Sequence, residues 1–192
     1  MDELLQEDRI EQLMQELETF PDRATTASDL EAQQRLYLRM REIDKELTAI
    51  RSTQEAALNS LIEERPSADP ASEAERIARL LRAFEFAAQL GRIAGDVICD
   101  SEYSDQWTQQ RKRIVTVLDA VDPGRQHLIG LLDHPIPDVR ASAGAYVMEV
   151  EPERALPVLR AVYESERGLN AGWTAFFPIQ MYDAEQKKQK KP

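Results

Sequence analysis

Three prolines set the scale on which this chain folds. Pro123, Pro137 and Pro152 stand 14 and 15 residues apart, and leucine, valine or alanine recurs every three or four residues after each. Proline fixes φ near the helical value and lacks only an amide that the first turn of a helix leaves unpaired anyway. Asp122 before Pro123 adds an N-cap. The spacing predicts three short helices. The first buries Leu128, Leu131 and Leu132. The second opens at Pro137 and buries Val139, Ala143, Tyr146, Val147 and Val150. The third opens at Pro152 and buries Leu156, Leu159, Val162 and Tyr163. Helices of about a dozen residues with tight turns pack as stacked pairs.

The rest of the chain keeps the helical period. Within 2–19, Leu4, Leu5, Leu13, Met14 and Leu17 fall largely on one face, with Ile10 between them, and Pro21 ends the segment. Ser28 and Glu31 have capping-box spacing and open a helix that runs to about Glu64, with a possible break near Ser52. Tyr37, Met40, Ile43, Leu47, Ile50, Leu58 and Leu61 are among its periodic positions. Together the two segments form a hairpin. RPSADPAS at 65–72 is a linker. Ser72 and Glu75 then form a second capping box, for a helix with Ile77, Leu80, Leu81, Phe84, Ala88 and Gly91 inward. DVICDSEYSD at 96–105 is an acidic connection, and Ser104 or Asp105 caps a helix with Trp107, Ile114, Leu118 and Val121 inward. Gly168 stops the helix from Pro152. A last helix over about 171–184 carries Trp173, Phe176, Phe177 and Met181, with a kink at Pro178. Glycine is scarce at 7 residues and no alternating strand pattern occurs, so the fold class is all-α.

Charge narrows the partners. The net charge is −11, and without the terminal KKQKKP it is −15. Residues 1–65 carry −8 and residues 66–192 carry −3, so most of the surplus lies in the hairpin. An acidic body repels nucleic acid and anionic lipid and attracts basic partners; the same acidity also serves solubility. One cysteine, Cys99, rules out a disulfide within the chain, and its neighbours Val97 and Ile98 mark it as a small buried hydrophobe. MDELLQEDR has no apolar signal core and no window nears 18 apolar residues, so a cytoplasmic protein without membrane contact is expected.

LLDHPIPDVR at 131–140 and PERALPVL at 152–159 are the segments with family character. Residues about 76–185 resemble a family of small bacterial helical domains of unknown function, similar to HEAT-type repeats. In that pattern Val139 is buried between a helix pair, Arg140 runs along the turn, and Ala141, Ala143 and Ala145 permit close helix approach. Ile136 departs from it, since the polar cap before the second proline is missing; Asp138 in the first turn partly offsets this through the helix dipole. The resemblance implies a short HEAT-like α-α stack; the N-terminal helical hairpin that precedes it, residues 1–65, falls outside the resemblance. The domains are 1–65, an acidic hairpin; 66–75, linker and cap; 76–185, the HEAT-like domain; and 186–192, a basic disordered tail. Such domains resemble toxin-associated immunity proteins.

The residues carry little that suggests catalysis. Asp133-His134 sits at a repeat turn, where an aspartate binding turn amides and a surface histidine explain it. His127 is not at metal-ligand spacing from His134, and neither a nucleophile elbow nor a phosphate loop occurs. The acidic connection lacks the glycine and closing glutamate of an EF-hand loop. No cofactor and no metal are expected, and no enzymatic role. Trp107 and Trp173 read most simply as core, with one of them a candidate interface anchor. The candidate partner-binding residues are Asp96, Asp100, Glu102, Tyr103, Asp105 and Trp107, with Glu63 and Glu64. The expected function is an immunity protein that docks a basic toxin domain and blocks its active site. The alternative is a scaffold or regulatory subunit that dimerises through the N-terminal hairpin, whose 30–61 helix has near-heptad spacing.

Overall fold

In the computed structural model the described residues are Arg9, Gln12, Leu13, Gln15, Glu16, Thr19, 30–92 and 101–189. Every regular element among them is helical, so the fold is all-α. The chain divides into two compact units, Met1–Glu64 and Arg65–Pro192.

The first unit holds α1 (Leu30–Glu63). Two double ion pairs join it to the N-terminal segment. Arg9 donates through Nε and Nη2 to Glu46 at 2.6 and 2.8 Å, and Arg39 donates likewise to Glu16, both at 2.9 Å. As position rises from 9 to 16 its partner falls from 46 to 39, so the two strands of the hairpin run antiparallel. Leu13 and Ile43 are fully buried between the levels of these pairs. Forked contacts of this kind fix register better than single ones. The helix is unbroken at Ser52, whose hydroxyl donates back to the Thr48 carbonyl at 3.0 Å. Ser28 lies outside the described residues.

The second unit holds α2 (Pro70–Arg92), α3 (Ser101–Asp119), α4 (Gln126–Gly130) with a 3-10 turn at Leu131–Asp133, α5 (Pro137–Val147), α6 (Pro152–Ser165) and α7 (Asn170–Gln189). Neighbours in sequence pack together, α2 on α3, α5 on α6 and α6 on α7, while α7 also reaches back to α5. α5 and α6 open at Pro137 and Pro152 as their spacing predicts.

Three helix starts differ from the sequence reading. α2 opens on Asp69-Pro70 rather than Ser72: Asp69 Oδ2 accepts from the Ser72 amide at 3.0 Å and from its hydroxyl at 2.6 Å. Glu73 then reaches back to the Ser67 amide at 2.7 Å and binds the buried Arg76 guanidinium. α3 begins at Ser101, so 101–105 belong to a helix and not to a connection. Pro123 opens a turn, not a helix; α4 starts three residues later, after Arg125. Asp122 still caps it, accepting from the His127 amide at 2.9 Å.

Arg125 has φ 51°, in the left-handed region. For a residue with a β-carbon this costs about 1 kcal/mol. Its guanidinium holds the position. It forks onto Asp119 at the end of α3, both bonds 2.9 Å, and binds Glu149 at 2.8 Å and the Tyr146 carbonyl at the end of α5.

Close approach rests on glycine. A β-carbon on Gly144 would meet Leu159 Cδ2 at 2.9 Å, and one on Gly172 would meet the Glu166 carbonyl oxygen at 2.2 Å. The first sets α6 against α5 and the second seats α7 on the α6–α7 turn. Ala141 and Ala143 are fully buried beside them, whereas Ala145 is half-buried. Val121 and Val150 are exposed, contrary to their predicted inward positions, because both lie in turns beyond their helix ends. α7 also continues through 186–189, which the sequence reading gave to a disordered tail. Pro178 sits within it, as Pro157 does within α6.

Gly172→Ala should cost about 1–3 kcal/mol in urea denaturation, because the obstacle is backbone and cannot rotate away. A second expectation concerns acid. The Ser72 hydroxyl bond holds the Asp69 carboxyl below its ordinary range. A lowered folded pKa gives stability that is present above the unfolded pKa and lost as pH falls through the folded one. Asp69→Asn keeps a capping oxygen but cannot titrate, so it should flatten the fall of Tm below about pH 4.

Candidate functional site

The acidic candidates are divided between the two units, and two of them lie outside the described residues. Glu63 and Glu64 are exposed at the end of α1, in the first unit. Asp96 and Asp100 lie outside the described residues, as does Cys99. Glu102 and Tyr103 lie in the first turn of α3, and Asp105 is exposed one turn on. Trp107 is not an anchor. It is only 4% exposed and meets Phe86 edge-on, with centroids 5.9 Å apart, so its bulk belongs to the α2–α3 core.

The Asp133-His134 pair is part of a turn. His134 Nδ1 accepts from the Ile136 amide at 3.2 Å, supplying a partner near the helix start where Ile136 itself offers no cap. Arg140 closes the turn from the other side, donating to the His134 and Pro135 carbonyls at 2.7 and 2.9 Å. Asp138 is 4% exposed and does more than complement a helix dipole. It accepts from Asn170 at the start of α7 at 3.3 Å and stands 3.8 Å from Arg92 of α2. Among the described residues no group of three His, Cys, Asp or Glu could hold a metal ion, and no helix is long and apolar enough to cross a membrane.

The feature that stands apart is the outer face of α7. Leu169, Trp173, Phe177 and Met181 repeat every four residues and are 47%, 54%, 60% and 67% exposed. The sequence reads Trp173 most simply as core, with an interface anchor as the alternative; the structure exposes it. The helix is turned the other way, on a second row of the same period set two residues out of phase: Ala171, Ala175 and Ile179 are buried, with Gly172 beside them. Two residues are about 200° of helical rotation, so the rows face opposite ways. Small residues let α7 lie close to α5 and α6, and the aromatic rings have no room on that side.

The exposed rings hold one another. Trp173 meets Phe176 edge-on at 5.7 Å and Phe177 at 6.3 Å, and Tyr163 of α6 lies 5.4 Å from Phe176. Arg167 sits 5.3 Å from the centre of the Tyr163 ring and binds Glu164 at 2.7 Å, which raises its pKa. At the other end of the helix stand Lys187 and Lys188, both exposed. The result is an apolar centre of pre-packed rings with charges at its ends, the composition that distinguishes protein interfaces from ordinary surface.

No family model, curated protein or solved structure matches the chain.

Two truncations separate a core tryptophan from a surface one. Trp107→Ala should cost about 3–5 kcal/mol in denaturant unfolding, the range for emptying a buried aromatic site. Trp173→Ala should cost less than about 1 kcal/mol in the same measurement.

Proposed function

We propose that this protein is a non-enzymatic protein-binding module whose docking surface is the exposed Leu169–Trp173–Phe177–Met181 row. That row is the observation that carries the reading. Contiguous apolar surface of several hundred Å² is uncommon on a monomer unless something covers it. Tryptophan and phenylalanine on rigid helical backbone lose little freedom when covered, which makes them effective anchors.

The partner's character follows from charge. A net charge of −11, with −8 in residues 1–65, favours encounter with a basic protein. The exposed Glu63, Glu64 and Asp105 belong to this steering charge. A basic cleft built for phosphate is the kind of surface that acidic and aromatic side chains occlude. The reading is thus an immunity protein that covers the active site of a basic toxin domain.

The test is binding to the purified product of the adjacent reading frame. Trp173→Ala and Phe177→Ala should each weaken the complex by about 30-fold, the effect of losing a 2 kcal/mol anchor. The triple replacement Glu63→Lys, Glu64→Lys, Asp105→Lys should act instead on the association rate and its salt dependence. Full-strength binding by the Trp173→Ala, Phe177→Ala double variant would remove α7 from the contact.

A further inference from the structure

The α7 row has an order that fits one more occupant. From Leu169, the residue before α7, through Trp173, Phe177 and Met181 it runs aliphatic, aromatic, aromatic, aliphatic, at equal four-residue steps. Its midpoint is Ala175, halfway between Trp173 and Phe177 and also between Leu169 and Met181. A helix laid antiparallel on this face about that midpoint would set Trp173 against Phe177 and Leu169 against Met181, twice over. That is the self-complementarity a two-fold interface requires.

The ends match as well. Glu164 is tied to the aromatic cluster through Arg167 and the Tyr163 ring, and Glu166 is the next acidic residue before α7. Beyond Met181, at about 100° per residue, Lys187 and Lys188 return to the face of the row. Antiparallel pairing brings the acidic approach of one helix to the lysine end of the other. It also opposes the two helix dipoles favourably.

Resting on the reading of α7 as an interaction surface, we infer that a second copy of this chain covers the row in the free protein, α7 against α7 in antiparallel pairing. The four side chains offer on the order of 400–500 Å² per copy, below the roughly 800 Å² per partner of a standard interface and in the range of transient contacts, so the dimer is weak and micromolar. Dimer and partner complex then compete for the same residues. Apparent affinity for the partner falls as the protein's own concentration rises.

Light scattering over a dilution series of the full chain tests this. The mass should climb with concentration from 21.9 kDa towards twice that value. Trp173→Glu and Phe177→Glu should hold it at 21.9 kDa throughout with the helical circular dichroism unchanged. Lys187→Glu with Lys188→Glu should weaken pairing, and mixing that variant with Glu164→Lys, Glu166→Lys should restore it, since opposite charges then meet at both ends. A native protein that stays monomeric overturns the inference, and so does a dimer that survives Trp173→Glu but dissociates with Tyr37→Glu on α1. Either result leaves the partner reading to its own titration, where loss of binding by Trp173→Ala is scored separately.

Discussion

One buried guanidinium ties α2, α3 and α5 of the second unit together. Arg111 of α3 is 7% exposed and donates to the Ala87 carbonyl of α2 at 3.1 Å and to Thr108 at 2.9 Å. It fits because residue 91 is glycine: a β-carbon there would lie 2.7 Å from Nη1. Burial lowers the pKa of Arg111, and the Tyr146 hydroxyl and Asp138 of α5 pull it back up. The same burial raises the pKa of Tyr146. Asp138 in turn holds Asn170 of α7. Three helices therefore meet at Arg111, and a fourth, α7, joins them at one remove through Asn170 and Asp138. An uncompensated charge here costs on the order of 3–5 kcal/mol, so rotating α5, which carries Tyr146 and Asp138, carries a penalty that hydrophobic contact does not impose.

That network explains what could be read from the residues and what could not. Helix class follows from period and composition, which are local. The starts at Pro137 and Pro152, and the path of Arg140 along its turn, follow from local chemistry too. Asp69-Pro70 and Asp122-Pro123 show where local chemistry is ambiguous. The same dipeptide caps a helix directly at 69 and opens a turn at 122, where Gly124 follows and Asp119 and Glu149 reward Arg125 for a left-handed backbone. The second outcome depends on residues at the ends of two other helices.

The two tryptophans were not distinguishable by period alone. α7 has apolar residues on both sides, one row bulky and one row small. Hydrophobicity favours burying the bulky row, while packing against α5 and α6 requires the small one, and packing wins because Gly172 must sit on the Glu166 carbonyl. Trp107 has the opposite fate, since Phe86 gives it a ring to pack on. A helix apolar on both sides either lies within a core or meets something on its second side. Local consistency fails in natural sequences mostly where a surface has work to do, and α7 is where it fails here.

Arg125 has one more implication. At most left-handed positions glycine is the relaxed choice, because relief of the backbone strain outweighs the extra chain entropy it loses on folding. Here glycine would also delete the side chain that ties the end of α3 to the end of α5 and satisfies the Tyr146 carbonyl. Relief of the dihedral and loss of the tie arrive in the same substitution. The position is a local optimum with no conservative neighbour: asparagine tolerates the backbone but is too short to reach Glu149, and lysine reaches but cannot fork onto Asp119.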